Sequence, residues 1–231
     1  MMKKQTLVET LKKAKKGKLN SKHTSNSKQI EAPVKGNILP EEVQTKEQDL
    51  IYFVIDQSIY MYLCELEEGV SSGLIDIKQL LCAMDKEKYI QVAITLFGST
   101  IEKRPFRYGR QLNVNYESYE YEIRLYDALL ESCDNMIYQY DQMKKVSKPI
   151  GVMLLLTSKG DTASQIQDTG EIRKRLDALA ERGISFLVAG FDPNGLSMIA
   201  QELGVKPISI QDNIHSRNMV LHAVRKVLKQ K

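Results

Sequence analysis

The chain is poor in cysteine: Cys64, Cys82 and Cys133 are the only three in 231 residues, and none of their spacings matches a metal-binding pair. So sparse and odd-numbered a set is a poor basis for a disulfide framework, and a reducing, cytoplasmic setting is expected, with the thiols as packing groups. No run approaches the roughly 20 apolar residues that cross a bilayer, and the basic amino terminus lacks the apolar core of a secretion signal. No GxGxxG follows a strand-like run and no GxxxxGK[ST] occurs, so nothing supports a nucleotide cradle. Histidine is equally scarce. His215 and His222 lie seven residues apart and could share a helical face, but no acid and nucleophile stand with them in an obvious triad.

What is present is unevenly distributed. Residues 1–40 carry ten lysines against Glu9 and Glu31, whereas the rest of the chain has more acids than bases. Residues 1–48 contain no aromatic side chain and too little apolar surface to offset the entropy of ordering, so a disordered basic tail is expected there. Leu7, Leu11 and Ala14 fall at helical spacing within it and suit an acidic or lipid surface, although a solvated helix explains them as simply. The lysines are also suited to sequence-blind contact with nucleic acid, but no arginine or aromatic accompanies them to read or stack bases.

From residue 49 to 231 the pattern is that of one α/β domain. Four short apolar runs, at 51–55, 92–97, 150–156 and 184–191, lack strict alternation, as strands buried on both faces do. Helical periods lie between them. Ile172, Leu176, Leu179 and Ala180 share one stripe, with Asp168 and Glu171 placed as a capping box and Gly183 as the stop. Further helices are expected over 125–143, after the 191–195 turn, and over 216–229. The stretch 101–112 contains Pro105 and follows the second strand too closely for a crossover, so it is placed as an antiparallel edge strand. The expected fold is therefore a doubly wound, mostly parallel sheet with one antiparallel edge strand and helices on both faces.

In such sheets ligands gather beyond the carboxyl ends of the strands, where this sequence places Asp56, Gly98, Ser99, Thr157, Ser158, Asp161 and Asp192. The words at these tips follow one another in a familiar order. "VIDQSIYM", "TLFGS", "IRLYDALLE", "LLLTSKGDTAS" and "VAGFDPNGLSMIAQELG" together resemble the von Willebrand factor A domain across about residues 49–230. The resemblance implies a divalent cation, usually Mg²⁺, held by two serines, a threonine and aspartates, with one position open to a partner's carboxylate. Asp56 and Ser58 match the first two ligand positions. The third falls on Tyr60, the threonine on Ile123 beside Arg124, and the later aspartate on Ser158.

Two matches of five make a poor Mg²⁺ site, so no cofactor is expected; if a metal binds, Asp56, Ser58 and Asp161 are its candidate ligands. The expectation is that Arg124 or Lys159 pairs with Asp56 in place of the ion. A phosphatase of the haloacid-dehalogenase type would need a second acid where Ser58 stands. The segment "NVNYESYEYE", 113–122, interleaves Tyr116, Tyr119 and Tyr121 with glutamates and reads either as a strand edge or as an acidic, aromatic recognition loop. The resulting expectation is a non-catalytic adaptor or assembly component that docks a protein through Asp56, Ser58, Tyr60, Arg124, Ser158, Lys159 and the three tyrosines. The alternatives are a metal-dependent binder with a rearranged site and a nucleic-acid-associated protein acting through the tail.

Overall fold

A computed structural model describes residues 48–84, 89–166 and 168–229. The Leu7, Leu11 and Ala14 stripe and the expected tail lie outside the described residues. Strand β1 (Gln48–Asp56) is followed by a short helix α1 (Ile59–Leu63) and by α2 (Glu67–Met84). Next come β2 (Tyr89–Phe97), β3 (Ile101–Arg107), α3 (Leu125–Lys144), β4 (Gly151–Thr157) and α4 (Gly170–Glu181). Strand β5 (Ser185–Gly190), α5 (Pro193–Leu203), β6 (Ile208–Ser209) and α6 (Asn213–Lys229) complete the order.

The six strands run β3-β2-β1-β4-β5-β6, parallel throughout except where β3 turns back along β2. This is the doubly wound sheet expected, with its antiparallel strand at the edge. Every position of β1 is buried because it lies between β2 and β4 with helices above and below, which is why it reads as an unbroken apolar run. Its alternate side chains feed two cores. Leu50, Tyr52 and Val54 pack with α3, α4 and α5, whereas Ile51, Phe53 and Ile55 pack with α2 and α6. On β3, Pro105 coincides with a register shift against β2, so its missing N–H falls where pairing is already broken.

Helix α4 does not begin as its sequence suggests. Thr169 occupies the cap position, Asp168 accepts only the Gly170 N–H at 2.8 Å, and Glu171 turns outward to Lys174 and Arg175, so no capping box forms. Helix α5 does begin as expected: Asp192 accepts from the N–H groups of Asn194 and Gly195, with Pro193 opening the first turn.

Helices α2 and α6 touch almost backbone to backbone. A Cβ on Gly69 would lie 2.0 Å from the carbonyl oxygen of Asn213, and one on Gly73 would lie 3.0 Å from Val220 Cβ. Gly69→Ala therefore has to push the helices apart, and a loss of about 1–3 kcal/mol in denaturant unfolding is expected, against a smaller loss for Gly73→Ala. Equal or negligible losses would show that the crossing is not tight.

Candidate functional site

The strand order reverses between β1 and β4, the switch point at which the loops leaving such sheets diverge around a crevice; Asp56 and Ser158 mark it here, covered from solvent. Asp56 is the last residue of β1 and has no solvent exposure. Its Oδ1 accepts the Ser58 N–H at 2.7 Å, and its Oδ2 accepts the Ser158 N–H at 2.8 Å and the Ser158 hydroxyl at 2.5 Å. Thr157 Oγ1 lies 3.3 Å from Oδ2, but its single proton goes to the nearer acceptor, the Lys159 carbonyl at 2.6 Å. Ser58 Oγ and Ser158 Oγ stand 3.3 Å apart and close the set.

Burial pushes the Asp56 carboxyl above the ordinary carboxylate range, and hydrogen bonds from Ser158 and Ser58 offset only part of that. The expected cation partners are elsewhere. The Arg124 guanidinium binds Asp127 at 2.7 and 2.8 Å, and Lys159 Nζ sits 4.1 Å above the centre of the Tyr60 ring. The salt-bridged arrangement expected from the sequence is thus corrected: the carboxylate is held by amides and a hydroxyl, which the fold places within reach where the long cationic side chains find nearer partners.

Asp161 does not approach this group either. Its Oδ1 accepts from Leu125 N–H at 2.8 Å and from the Ser164 hydroxyl at 2.5 Å, so it caps α3. Ile123 is wholly buried, and its main chain pairs with Thr162 and Ala163. Among the described residues, no three His, Cys, Asp or Glu side chains gather as a metal-holding group.

The 113–122 segment runs over the crevice as an irregular strap. Tyr119 and Glu120 donate their N–H groups to Gln57 O, Glu120 O accepts from Ile59 N–H, and the Ser118 hydroxyl donates to Glu67. Its tyrosines have divided roles. Tyr116 is buried and donates its hydroxyl to the Asp56 carbonyl at 2.5 Å, so it anchors the strap, whereas Tyr119 and Tyr121 are exposed. Asp56, Ser58 and Ser158 also lie beneath the surface, leaving Tyr60, Arg124 and Lys159 half-exposed around them. Sequence reasoning passed over Asp127, whose oxygens accept the N–H groups of Gln165 and Ile166 as well as Arg124. Its place three residues after Arg124 was the available signal. Burial works against its charge, but these amides and the guanidinium outweigh it and hold the carboxyl below its usual range.

No family model matches the sequence, and no curated protein matches it. Solved structures do. Proximal thread matrix protein 1 from the mussel byssus superposes with a TM-score of 0.53 at 9% identity over 78% of this chain and 48% of its own. The fold is of the von Willebrand A type. In another structure of that mussel protein, zinc occupies the MIDAS motif. The pilus adhesin SpaC from Lactobacillus rhamnosus GG, in an open conformation, gives a TM-score of 0.54 at 10% identity over 80% of this chain and 30% of its own. This chain thus spans less than half the length of either protein.

Asp56→Ala leaves the Ser58 and Ser158 amides without acceptors and is expected to cost about 2–4 kcal/mol in equilibrium unfolding. The pH dependence has a definite sign. A folded-state pKa above the unfolded one means that the folded chain binds more protons at Asp56, so its contribution to stability falls as pH rises from about 4. The wild-type stability minus that of Asp56→Asn should accordingly fall with pH and then flatten; a difference that rises would contradict the assignment.

Proposed function

We propose that this chain is a non-catalytic protein-interaction module, an adaptor or assembly component working in the cytoplasm, whose partner docks over the carboxyl-terminal face of the sheet. The observation that carries the reading is the division of labour at that face. The groups that would hold a dication or attack a substrate are turned inward: both Asp56 oxygens are occupied by donors of the chain itself. The side chains left outside are Tyr60, Arg124, Lys159, Tyr119 and Tyr121, a composition suited to recognition.

The donor set does not fit Mg²⁺. The ion needs near-octahedral hard oxygen ligands, and here one carboxylate is saturated, Ile123 offers no hydroxyl, and Asp161 is committed to α3. The site therefore reads as a degenerate relative of a metal-dependent adhesion site. Two proteins of like fold, an adhesin and a thread matrix component, belong to binding or assembly by their names, which supports the reading by analogy of fold alone. No helix among the described residues is long and apolar enough to cross a membrane.

Site-specific photo-crosslinking tests the docking face. A photoreactive residue at position 119 or 121 should yield a discrete protein adduct in cells, and the same group at Tyr138, exposed on α3, should not. The adduct should survive chelation of divalent ions. Equal labelling from Tyr138, or an adduct abolished by chelator, would contradict the proposal.

A further inference from the structure

The exposed part of this face carries acids that no described cation neutralises. Glu65, Glu68, Glu117 and Glu122 are exposed, whereas the cations beside them among the described residues, Lys159, Arg124 and Arg104, are engaged by Tyr60, Asp127 and Glu102. Two open clefts flank the amino-terminal half of α2. One, ≈350 Å³, has Ile75, Leu96, Val114 and Tyr119 along its apolar walls, with Glu117 and the paired Arg104 and Glu102 as its charged lining, one acid in excess. The other, ≈470 Å³, sets Tyr62 and Leu63 against Glu65 and Glu68. Tyr62 and Tyr119 are 60% and 58% exposed, so the fold leaves most of their ring surface to solvent.

Between the clefts the strap is fixed by the Ser118 bond to Glu67 and by the paired amides on Gln57, so the surface is formed before anything binds. We infer that the segment docking here is basic: a lysine- or arginine-rich stretch of another protein that lays its aliphatic stems in the two clefts and its cations over Tyr62 and Tyr119, beside the glutamates. This rests on the docking role proposed above and assigns the partner's chemistry. The same contact already exists once within the fold, where the Lys159 ammonium lies over the Tyr60 ring. Long cationic side chains match both halves of each cleft, because their stems cover apolar wall while their heads reach the acidic rim. A partner of opposite charge would instead meet unpaired carboxylates.

The test is titration calorimetry on the full chain with a lysine–serine repeat peptide, a glutamate–serine repeat of the same length, and a neutral leucine–serine repeat. The lysine peptide should bind saturably and more weakly as salt rises. Tyr62→Ser with Tyr119→Ser should weaken it about fivefold or more, Glu65→Gln with Glu117→Gln should weaken it and flatten the salt dependence, and Glu181→Gln at the far end of α4 should change neither. Lysine-peptide binding indifferent to these four residues, or its absence, would overturn the inference. Binding of the glutamate or leucine peptide, lost in the tyrosine pair, would also overturn it while leaving the docking role standing. Crosslinking equal at positions 119 and 138 would remove the docking role itself.

Discussion

A carboxylate buried at the tip of a central strand must find donors, and the rest of this face is arranged around how Asp56 finds them. Taking an ionised carboxyl out of water costs several kcal/mol unless hydrogen bonds or a counter-charge replace the lost hydration. Here the Ser58 and Ser158 amides and the Ser158 hydroxyl supply them, which ties the tip of β1 to the tip of β4. Tyr116 then closes the group from above through the Asp56 carbonyl and fixes the strap over the crevice. No cation among the described residues takes part. The burial that raises the carboxyl's pKa is the cost of this arrangement, and the cross-strand tie is its structural return.

That tie also decides what the face can do. With the carboxylate turned inward, the side chains that meet solvent are Tyr119 and Tyr121 of the strap, the α1 residues Tyr62 and Leu63, half-exposed Tyr60, Arg124 and Lys159, and exposed glutamates. Those outward side chains are aromatic and acidic, and the partner chemistry inferred above follows from them.

Much of this was legible in the residues themselves. Strands β1, β2, β4 and β5 could be read because burial on both faces removes alternation and leaves short apolar runs. Pro105 marked the edge strand, and the stripes of α3, α4 and α6 followed their helical period. Helix α2 was hidden, because Gly69, Gly73 and two serines interrupt its first half, and its logic lies in the close approach of α6, which no local pattern announces. Strand β6 is two residues long and too short for any period. At the face, the position of Asp56 was readable but its partners were not. Arg124 pairs with Asp127 one helical turn further along the chain, and Lys159 finds Tyr60 across the fold, so neither cation turns to Asp56. The tyrosines of the strap look equivalent in the sequence, yet Tyr116 is a buried anchor and Tyr119 faces water, because an irregular segment has no period to divide inside from outside.

The account stands on Asp56 being satisfied by the chain alone, and a crystal structure determined after growth in millimolar Mn²⁺, with anomalous data collected at the metal's absorption edge, tests that directly. The predicted result is no anomalous peak at the tips of β1 and β4 and a Ser158 hydroxyl still within hydrogen-bonding distance of Asp56. A peak bonded to Asp56 and Ser58, with Ser158 displaced from the carboxylate, would contradict it.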